Sequence, residues 1–433
     1  MWSKVGHYKQ RAAAISVLGM VLLIAAAGFA PASAAVPAPE ALRADILDVA
    51  MVGRSLRVTM ATAGLGDSQG AAATAAVSVW LDGVAIRVGL LLIHMPRHFS
   101  MDLDLAAGVA RVGGITVGQF ASVPPFRENL RFPVEVTVRR GTLAATARRT
   151  ATILLPTVIV PGYLNEHDGP SAAVLTAFRR HGYADSGAGQ NVFWFTYKST
   201  EITLPEGGQA LAAYVRRAVL PASYAARINV VGYSLGGLMA RWNVAYDVDG
   251  WGALINGLML VGVPNEGTVL AYLTDHTPSA LPYSSLGRTS ASRAFMPTFP
   301  FWRAASTQPW GMPQDAENTL LDELNARPIP PDIRVYLFYG SHDPHNSGGP
   351  QTSVGITGML PGAELAFGAG DGMVLAASAQ GLPILGGSGV PALAERAVLR
   401  VDLGPVYHTR LLDAAAGRIA GALLDRFVDH VEE

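Results

Sequence analysis

The stretch RINVVGYSLGGLMARW, residues 227–242, contains the pattern that decides the fold. An apolar run, INVV, is followed by Gly232-Tyr233-Ser234-Leu235-Gly236 and then by a segment with helical character. Close glycines on both sides allow a strained turn between strand and helix, so the pattern predicts that the Ser234 hydroxyl is exposed at the strand end. The dipole of the following helix favours negative charge there. The alternative is a glycine-rich turn whose serine only caps the helix.

A serine hydroxyl becomes a nucleophile when a base takes its proton, and the usual base is a histidine held by a carboxylate. After this kind of turn, the acid and then the histidine follow the serine along the chain. His408 lies between the run AVLRVDLGPVY and the C-terminal helical segment, so we predict that it is the base. His342 and His345, in GSHDPHNSG, are the alternatives, whereas His430 is predicted to be solvated on the final helix.

Two aspartates are candidates for the acid, and the residues alone leave both open. Asp343 directly follows the apolar run IRVYLFYG, but it could also be a turn former. Asp371 lies between Gly370 and Gly372, which would form a tight turn and leave the carboxylate free to reach an imidazole. This logic places Asp371 slightly ahead.

An oxyanion that forms during acyl transfer needs two backbone N–H donors. The residue after the serine, Leu235, is predicted to supply one of them. The second is predicted from Tyr163, in the loop VIVPGYLNE, where Gly162 allows the turn. This chemistry needs no metal and no organic cofactor.

Six apolar runs alternate with helical patterns from about residue 151 onward: TILLPTVIV, NVFWFTY, RINVVGY, INGLMLVG, IRVYLFYG and AVLRVDL. Continuously apolar strands between helices predict a doubly wound, mostly parallel sheet covered on both faces. We therefore assign residues 151–433 to one α/β domain. Within it, residues 265–330 are rich in proline and aromatic side chains, which predicts a cap, or lid, over the site; a small satellite core under a long loop is the alternative.

The N-terminal part has a different organisation. Basic residues, an apolar run and small residues predict a cleaved signal peptide over residues 1–35, hence a secreted or periplasmic protein; an uncleaved anchor is the alternative. Alternating apolar and polar residues over 36–150 predict a small, immunoglobulin-like β-sandwich.

The whole chain has a net charge of −1, with 15% charged residues, which gives no reason to expect nucleic acid as a partner.

In the part of the chain that contains Ser234, Asp371 and His408, the sequence resembles the α/β-hydrolases, and more narrowly the lecithin:cholesterol acyltransferase family, which includes lysosomal phospholipases. The similar stretches are VIVPGY, VVGYSLGGLMARW, LMLVGVPNEGTVLAYL, VYLFYGSHDP and GAGDGMVLAASA, and the resemblance covers residues 150–425. It implies Asp371 as the acid and is consistent with His408 as the base. Three departures leave the substrate open. Met373 stands where the family usually has threonine, the chain has no cysteine whereas animal members carry disulfides, and the cap segment matches only loosely.

The sequence thus predicts a serine hydrolase that cleaves carboxylic esters, with a lipid or other hydrophobic ester as partner and transient contact with a lipid interface. Two alternatives stay open at this point. The acyl group could pass to an alcohol, which would make the protein an acyltransferase. The chain could also be a non-catalytic binding or adhesion protein built on a hydrolase scaffold.

Overall fold

Two antiparallel sheets precede a parallel sheet that is flanked by helices. The structure, a computed structural model, describes residues 41–64, 73–81, 84–92, 98–162, 169–187, 189–199, 202–267, 319–341, 370–371, 374–382, 389–424 and 427–429. The strands are β1 (Arg43–Val52), β2 (Ser55–Ala63), β3 (Ala73–Leu81), β4 (Val84–Leu92), β5 (His98–Asp104), β6 (Val109–Val112), β7 (Ile115–Gln119), β8 (Asn129–Arg140), β9 (Leu143–Ile153), β10 (Thr157–Val160), β11 (Val192–Trp194), β12 (Ile228–Tyr233), β13 (Ile255–Val261), β14 (Arg334–Tyr339), β15 (Ala397–Asp402) and β16 (Phe427–Asp429). The helices are α1 (Ala172–Arg180), α2 (Leu204–Tyr214), α3 (Leu220–Ser223), α4 (Leu235–Ala245), α5 (Trp251–Leu254), α6 (Thr319–Asn325), α7 (Ala376–Ala379), α8 (Pro391–Arg396) and α9 (His408–Leu423).

The parallel sheet confirms the predicted mixed α/β fold. Its strand order is β11-β10-β12-β13-β14-β15, and every neighbouring pair is parallel. The chain moves outward from β10 in both directions, so helices cover both faces of the sheet. Because parallel strands share one direction, their carboxyl ends meet at one edge, where the loops after β12, β13, β14 and β15 come together.

The apolar strands are buried on both faces because their side chains alternate between two cores. Val230 belongs to the core on the side of α2 and α4, and Val231 belongs to the core on the side of α1 and α9. The same alternation is repeated on β13, by Leu258 and Met259. A strand buried on both faces has no solvent-facing positions, which is why its sequence is continuously apolar.

Two predicted boundaries differ from the structure. The run TILLPTVIV is divided between the end of β9, at Ile153, and β10, which begins at Thr157 after Pro156. The predicted C-terminal helix ends at Leu423, and the following residues 427–429 form a strand instead of extending it. The aromatic and β-branched residues Phe427 and Val428 favour a strand, and pairing with β8 provides the edge that it needs.

The N-terminal part consists of two antiparallel sheets around a shared core. One sheet has the order β1-β2-β5-β6-β7; the other has the order β16-β8-β3-β4, with β9 also paired to β8, and all its pairs are antiparallel except that of β16 with β8. Inward-facing residues of both sheets, such as Val58, Met101, Val77 and Phe132, pack into one hydrophobic cluster. Alternation of buried and partly exposed positions along β2 and β3 produces this arrangement.

The N-terminal sheets are joined to the α/β part by buried contacts. Asn129, 3% exposed, donates from Nδ2 to the Leu423 carbonyl oxygen over 2.7 Å. Its Oδ1 accepts from the Leu155 N–H over 2.8 Å, and β16 pairs in parallel with the start of β8. The C-terminal end of α9 is therefore held by the N-terminal sheets. Over the described ranges, no helix combines the length and the apolar character that crossing a membrane requires.

Candidate active site

Ser234 lies at a sharp turn between β12 and α4. Its backbone has φ 52° and ψ −122°, a left-handed conformation that costs a non-glycine residue about 1–3 kcal/mol. Its N–H donates to the Val261 carbonyl oxygen of the neighbouring strand over 3.0 Å. The turn is therefore fixed from outside by the sheet, as a strained conformation requires.

The glycines around Ser234 are needed because backbones approach closely. A Cβ on Gly236 would lie 2.3 Å from the Val160 carbonyl oxygen, and one on Gly232 would lie 2.4 Å from the Gly237 Cα. Both distances are shorter than any side chain allows. The pattern predicts this turn from sequence, and the structure contains it.

The imidazole of His408 contacts the serine. His408 is the first residue of α9, and its Nε2 lies 2.9 Å from Ser234 Oγ. Its Nδ1 lies 2.7 Å from Asp371 Oδ2. An ionised carboxylate can only accept, so Nδ1–H donates to Asp371, and Nε2 is left to accept the serine proton. As whole residues, Ser234, His408 and Asp371 are 6%, 5% and 2% exposed. The prediction that the Ser234 hydroxyl is exposed at the strand end is therefore wrong for this structure, in which the residue is buried.

The carboxylate of Asp371 is oriented by its own turn. Its Oδ1 accepts from the Val374 N–H over 2.7 Å, and its N–H donates to the Val374 carbonyl oxygen over 3.1 Å. Its carbonyl oxygen accepts from the His408 N–H over 2.9 Å, so backbone and side chain both join the acid to the histidine. The alternatives Asp343, His342 and His345 lie outside the described residues.

Three residues at this site were not singled out from sequence. The Tyr233 hydroxyl donates to the His408 carbonyl oxygen over 2.6 Å, and the two ring centroids are 5.2 Å apart. Gly262, with φ +54°, leaves room for the pair: a Cβ there would lie 3.1 Å from Asp371 Oδ2. A Cβ on Gly340 would lie 3.0 Å from the Asp371 Cβ. The only sequence signal was that both glycines end or follow apolar strands.

Of the two residues predicted to donate to the oxyanion, Leu235 lies among the described residues. Leu235 is the first residue of α4 and is fully buried, and an N–H at this position has no partner within its helix. The loop after β10 reaches the serine, since a Cβ on Gly162 would lie 2.8 Å from the Ser234 Cβ. Tyr163 lies outside the described residues, as does most of the predicted cap (residues 268–318).

A serine at a strand–helix turn on a parallel sheet, with an imidazole and a carboxylate from later loops, is the arrangement of the α/β-hydrolases. Chemically, a hydroxyl held beside an imidazole in this way can attack a carbonyl carbon while the imidazole takes its proton.

Comparisons with known proteins return matches of low identity and low structural similarity. No family model matches the chain, and no curated protein matches it. A solved gene product of Listeria innocua is 12% identical, with 64% of this chain and 95% of that chain covered at a TM-score of 0.31. An esterase of Pyrobaculum calidifontis is 15% identical, with coverage of 69% and 85% and a TM-score of 0.32. Lipase B of Aspergillus fumigatus is 20% identical, with coverage of 27% and 26% and a TM-score of 0.21. Similarities this distant assign neither an activity nor a substrate to the chain.

Proposed function

We propose that the chain is a serine hydrolase that cleaves carboxylic esters. The observation that carries the proposal is the hydrogen-bonded series from Ser234 Oγ through His408 to Asp371, with distances of 2.9 and 2.7 Å. Its strained, sheet-supported turn adds support, because backbone strain persists where surrounding structure over-determines it. A serine that only capped a helix would accept from a backbone N–H of α4, and Ser234 makes no such bond.

In the proposed reaction, Ser234 Oγ attacks the ester carbonyl carbon while His408 Nε2 takes its proton. The carbonyl oxygen becomes an oxyanion that accepts from the N–H groups of Leu235 and Tyr163. The C–O bond to the alcohol breaks, and His408 returns the proton to the leaving alkoxide. Water then attacks the acyl-enzyme with the same base and releases the carboxylic acid. Asp371 holds the imidazole in the required tautomer and stabilises its protonated form.

We propose hydrophobic esters, including lipids, as the substrate class. The support is the sequence of residues 265–330, in which phenylalanine and tryptophan recur with proline. This segment is proposed to act as the cap, and water is proposed as the acyl acceptor. The finer assignments made from sequence are kept as parts of the proposal: a cleaved signal peptide with export, and an immunoglobulin-like arrangement of the N-terminal sheets.

Ser234→Ala tests the mechanism. With a p-nitrophenyl ester series, we expect kcat to fall by about 10⁶-fold, to near the background rate. A fluorophosphonate probe should label the wild-type protein and not the variant. Retained turnover by folded Ser234→Ala would exclude the mechanism.

A matched pair of variants tests the acid. Asp371→Asn is expected to lower kcat by about 10⁴-fold, because the imidazole then adopts the wrong tautomer. Asp343→Asn is expected to leave kcat near the wild-type value. A larger loss from Asp343→Asn would reverse the assignment.

A further inference from the structure

A buried arginine on the serine's own helix is not used by the proposed reaction. Arg241 is 3% exposed and lies on α4, seven residues after Ser234. It donates from Nη1 to Asn265 Oδ1 and from Nη2 to Asn325 Oδ1, both over 2.9 Å. Burial lowers the pKa of Arg241 to about 10, against the opposite effect of the Glu266 carboxylate, so the guanidinium is charged at neutral pH. Burying a charge costs free energy unless the charge is paired or hydrogen-bonded. The burial of the Arg241 guanidinium therefore suggests that its hydrogen bonds have a role.

The partners of Arg241 lead to the loop that carries the acid. Asn265 donates from Nδ2 to the Ala379 carbonyl oxygen over 2.9 Å. The Ser378 hydroxyl accepts from the Glu266 N–H over 3.0 Å and donates to the Gly267 carbonyl oxygen over 2.9 Å. Ser378 and Ala379 belong to α7, a helix of only four residues. Such a short helix is not stable by itself, so these bonds hold it in place.

Helix α7 in turn continues directly from the turn of Asp371. Val374, whose backbone bonds both the main chain and the carboxylate of Asp371, lies two residues before the first residue of α7. A shift of α7 would therefore move the groups that orient the acid. Two hydrogen bonds, Arg241 to Asn265 and Asn265 to Ala379, connect the serine's helix to the acid's loop.

We propose that Arg241 is a positioning residue that sets the Asp371 loop relative to the helix beginning at Ser234. It acts through Asn265 and contacts no reacting atom. This inference rests on the proposed function for its effect on rate. Asn325 supports the same arrangement, because its Nδ2 donates to the Asn265 carbonyl oxygen over 2.8 Å and to Glu266 Oε1 over 3.1 Å.

The test compares Arg241→Met with a control on the same helix. Asn243 is fully buried and donates to the Gly208 carbonyl oxygen of α2 over 2.7 Å. Asn243→Ala thus breaks a buried hydrogen bond between α4 and α2. Within the described residues, this bond is not part of the connection from α4 to Asp371. Both variants should lower the melting temperature. We expect Arg241→Met to lower kcat by about 10- to 100-fold at unchanged KM, and Asn243→Ala to leave kcat within about threefold of wild type.

A double-mutant cycle gives a readout that a merely structural role would not move. In the Asp371→Asn background, Arg241→Met should cost less than about threefold in kcat, because the carboxylate it positions is gone. The same loss in both backgrounds, or an equal loss from Asn243→Ala, would overturn the proposal.

The NMR signal of the His408 Nδ1 proton separates this inference from the proposed function. That signal reports the bond to Asp371 whether or not the protein turns over an ester. It should shift in Arg241→Met and not in Asn243→Ala, and an unchanged signal in Arg241→Met overturns the positioning role. Turnover retained by Ser234→Ala would instead refute the proposed function and leave the NMR result to decide on Arg241.

Discussion

Gly236→Ala is the sharpest test of the turn geometry. A Cβ at this position would lie 2.3 Å from the Val160 carbonyl oxygen and 2.4 Å from that of Pro161, both backbone atoms. Since real Cβ atoms do not come within 3.0 Å, α4 and the loop after β10 must separate by about 0.7 Å. Because the contacted atoms belong to the backbone, no side-chain rotation relieves the clash. We therefore expect Ser234 and the loop that precedes Tyr163 to shift.

The expected cost has two parts. Overpacking of this kind destabilises a protein by about 1–3 kcal/mol. A misplacement approaching 1 Å at a reacting group can lower the rate by about 10²-fold, so we expect kcat to fall by roughly 30- to 100-fold. The assay is kcat on p-nitrophenyl butyrate, together with urea unfolding of the same preparation.

Gly417→Ala is the matched control. Gly417 lies on α9, and an added Cβ would meet nothing within 4 Å. Alanine is the better helix former by about 0.5–1 kcal/mol, so this variant should be slightly more stable and fully active. If Gly236→Ala retained kcat and unfolding midpoint while Gly417→Ala behaved as expected, our account of the close approach would be wrong.

Three further predictions concern stability and the site. Asn129→Ala removes two buried hydrogen bonds to backbone groups, and we expect a loss of about 2–4 kcal/mol in urea unfolding; a loss below about 1 kcal/mol would contradict the junction described above. Burial alone would raise the pKa of Asp104, but the Ala107 N–H and two arginines hold it below the ordinary value of 3.8. A lowered pKa stabilises the fold above that value and loses its effect as pH falls, so Asp104→Asn should cost about 1–2 kcal/mol at pH 7 and progressively less below pH 4; a pH-independent difference would refute this. Tyr233→Phe removes the donor to the His408 carbonyl oxygen, and we expect kcat to fall by about 10-fold with KM unchanged; a change confined to KM would argue against a role in holding the histidine.

The candidate site was partly predictable from sequence. The glycine spacing around Ser234 predicts the turn, since only glycine tolerates the approach of Val160. Selecting His408 and Asp371 depended on chain order and on a family resemblance. The structure brings both side chains into hydrogen-bonding distance, and their catalytic roles stay predictions.

Other features could not be derived from the pattern. The sequence predicts that residues 427–429 continue the preceding helix. They form a strand because they pair with β8, which lies almost 300 residues earlier in the chain. In the sequence, Arg241 is an ordinary helical arginine. Nothing in the sequence indicates that Asn265 bonds both Arg241 and the Ala379 carbonyl oxygen.

By itself, the sequence determined the local periods: continuously apolar strands, amphipathic helices, and the one turn that glycine permits. These features depend on neighbouring residues and therefore leave a readable pattern. Only the tertiary structure decided which distant groups meet, such as Asp371 with His408 and Arg241 with Asn265. Contacts of that kind depend on strand register and loop path to within an ångström, and no local period of the chain encodes that.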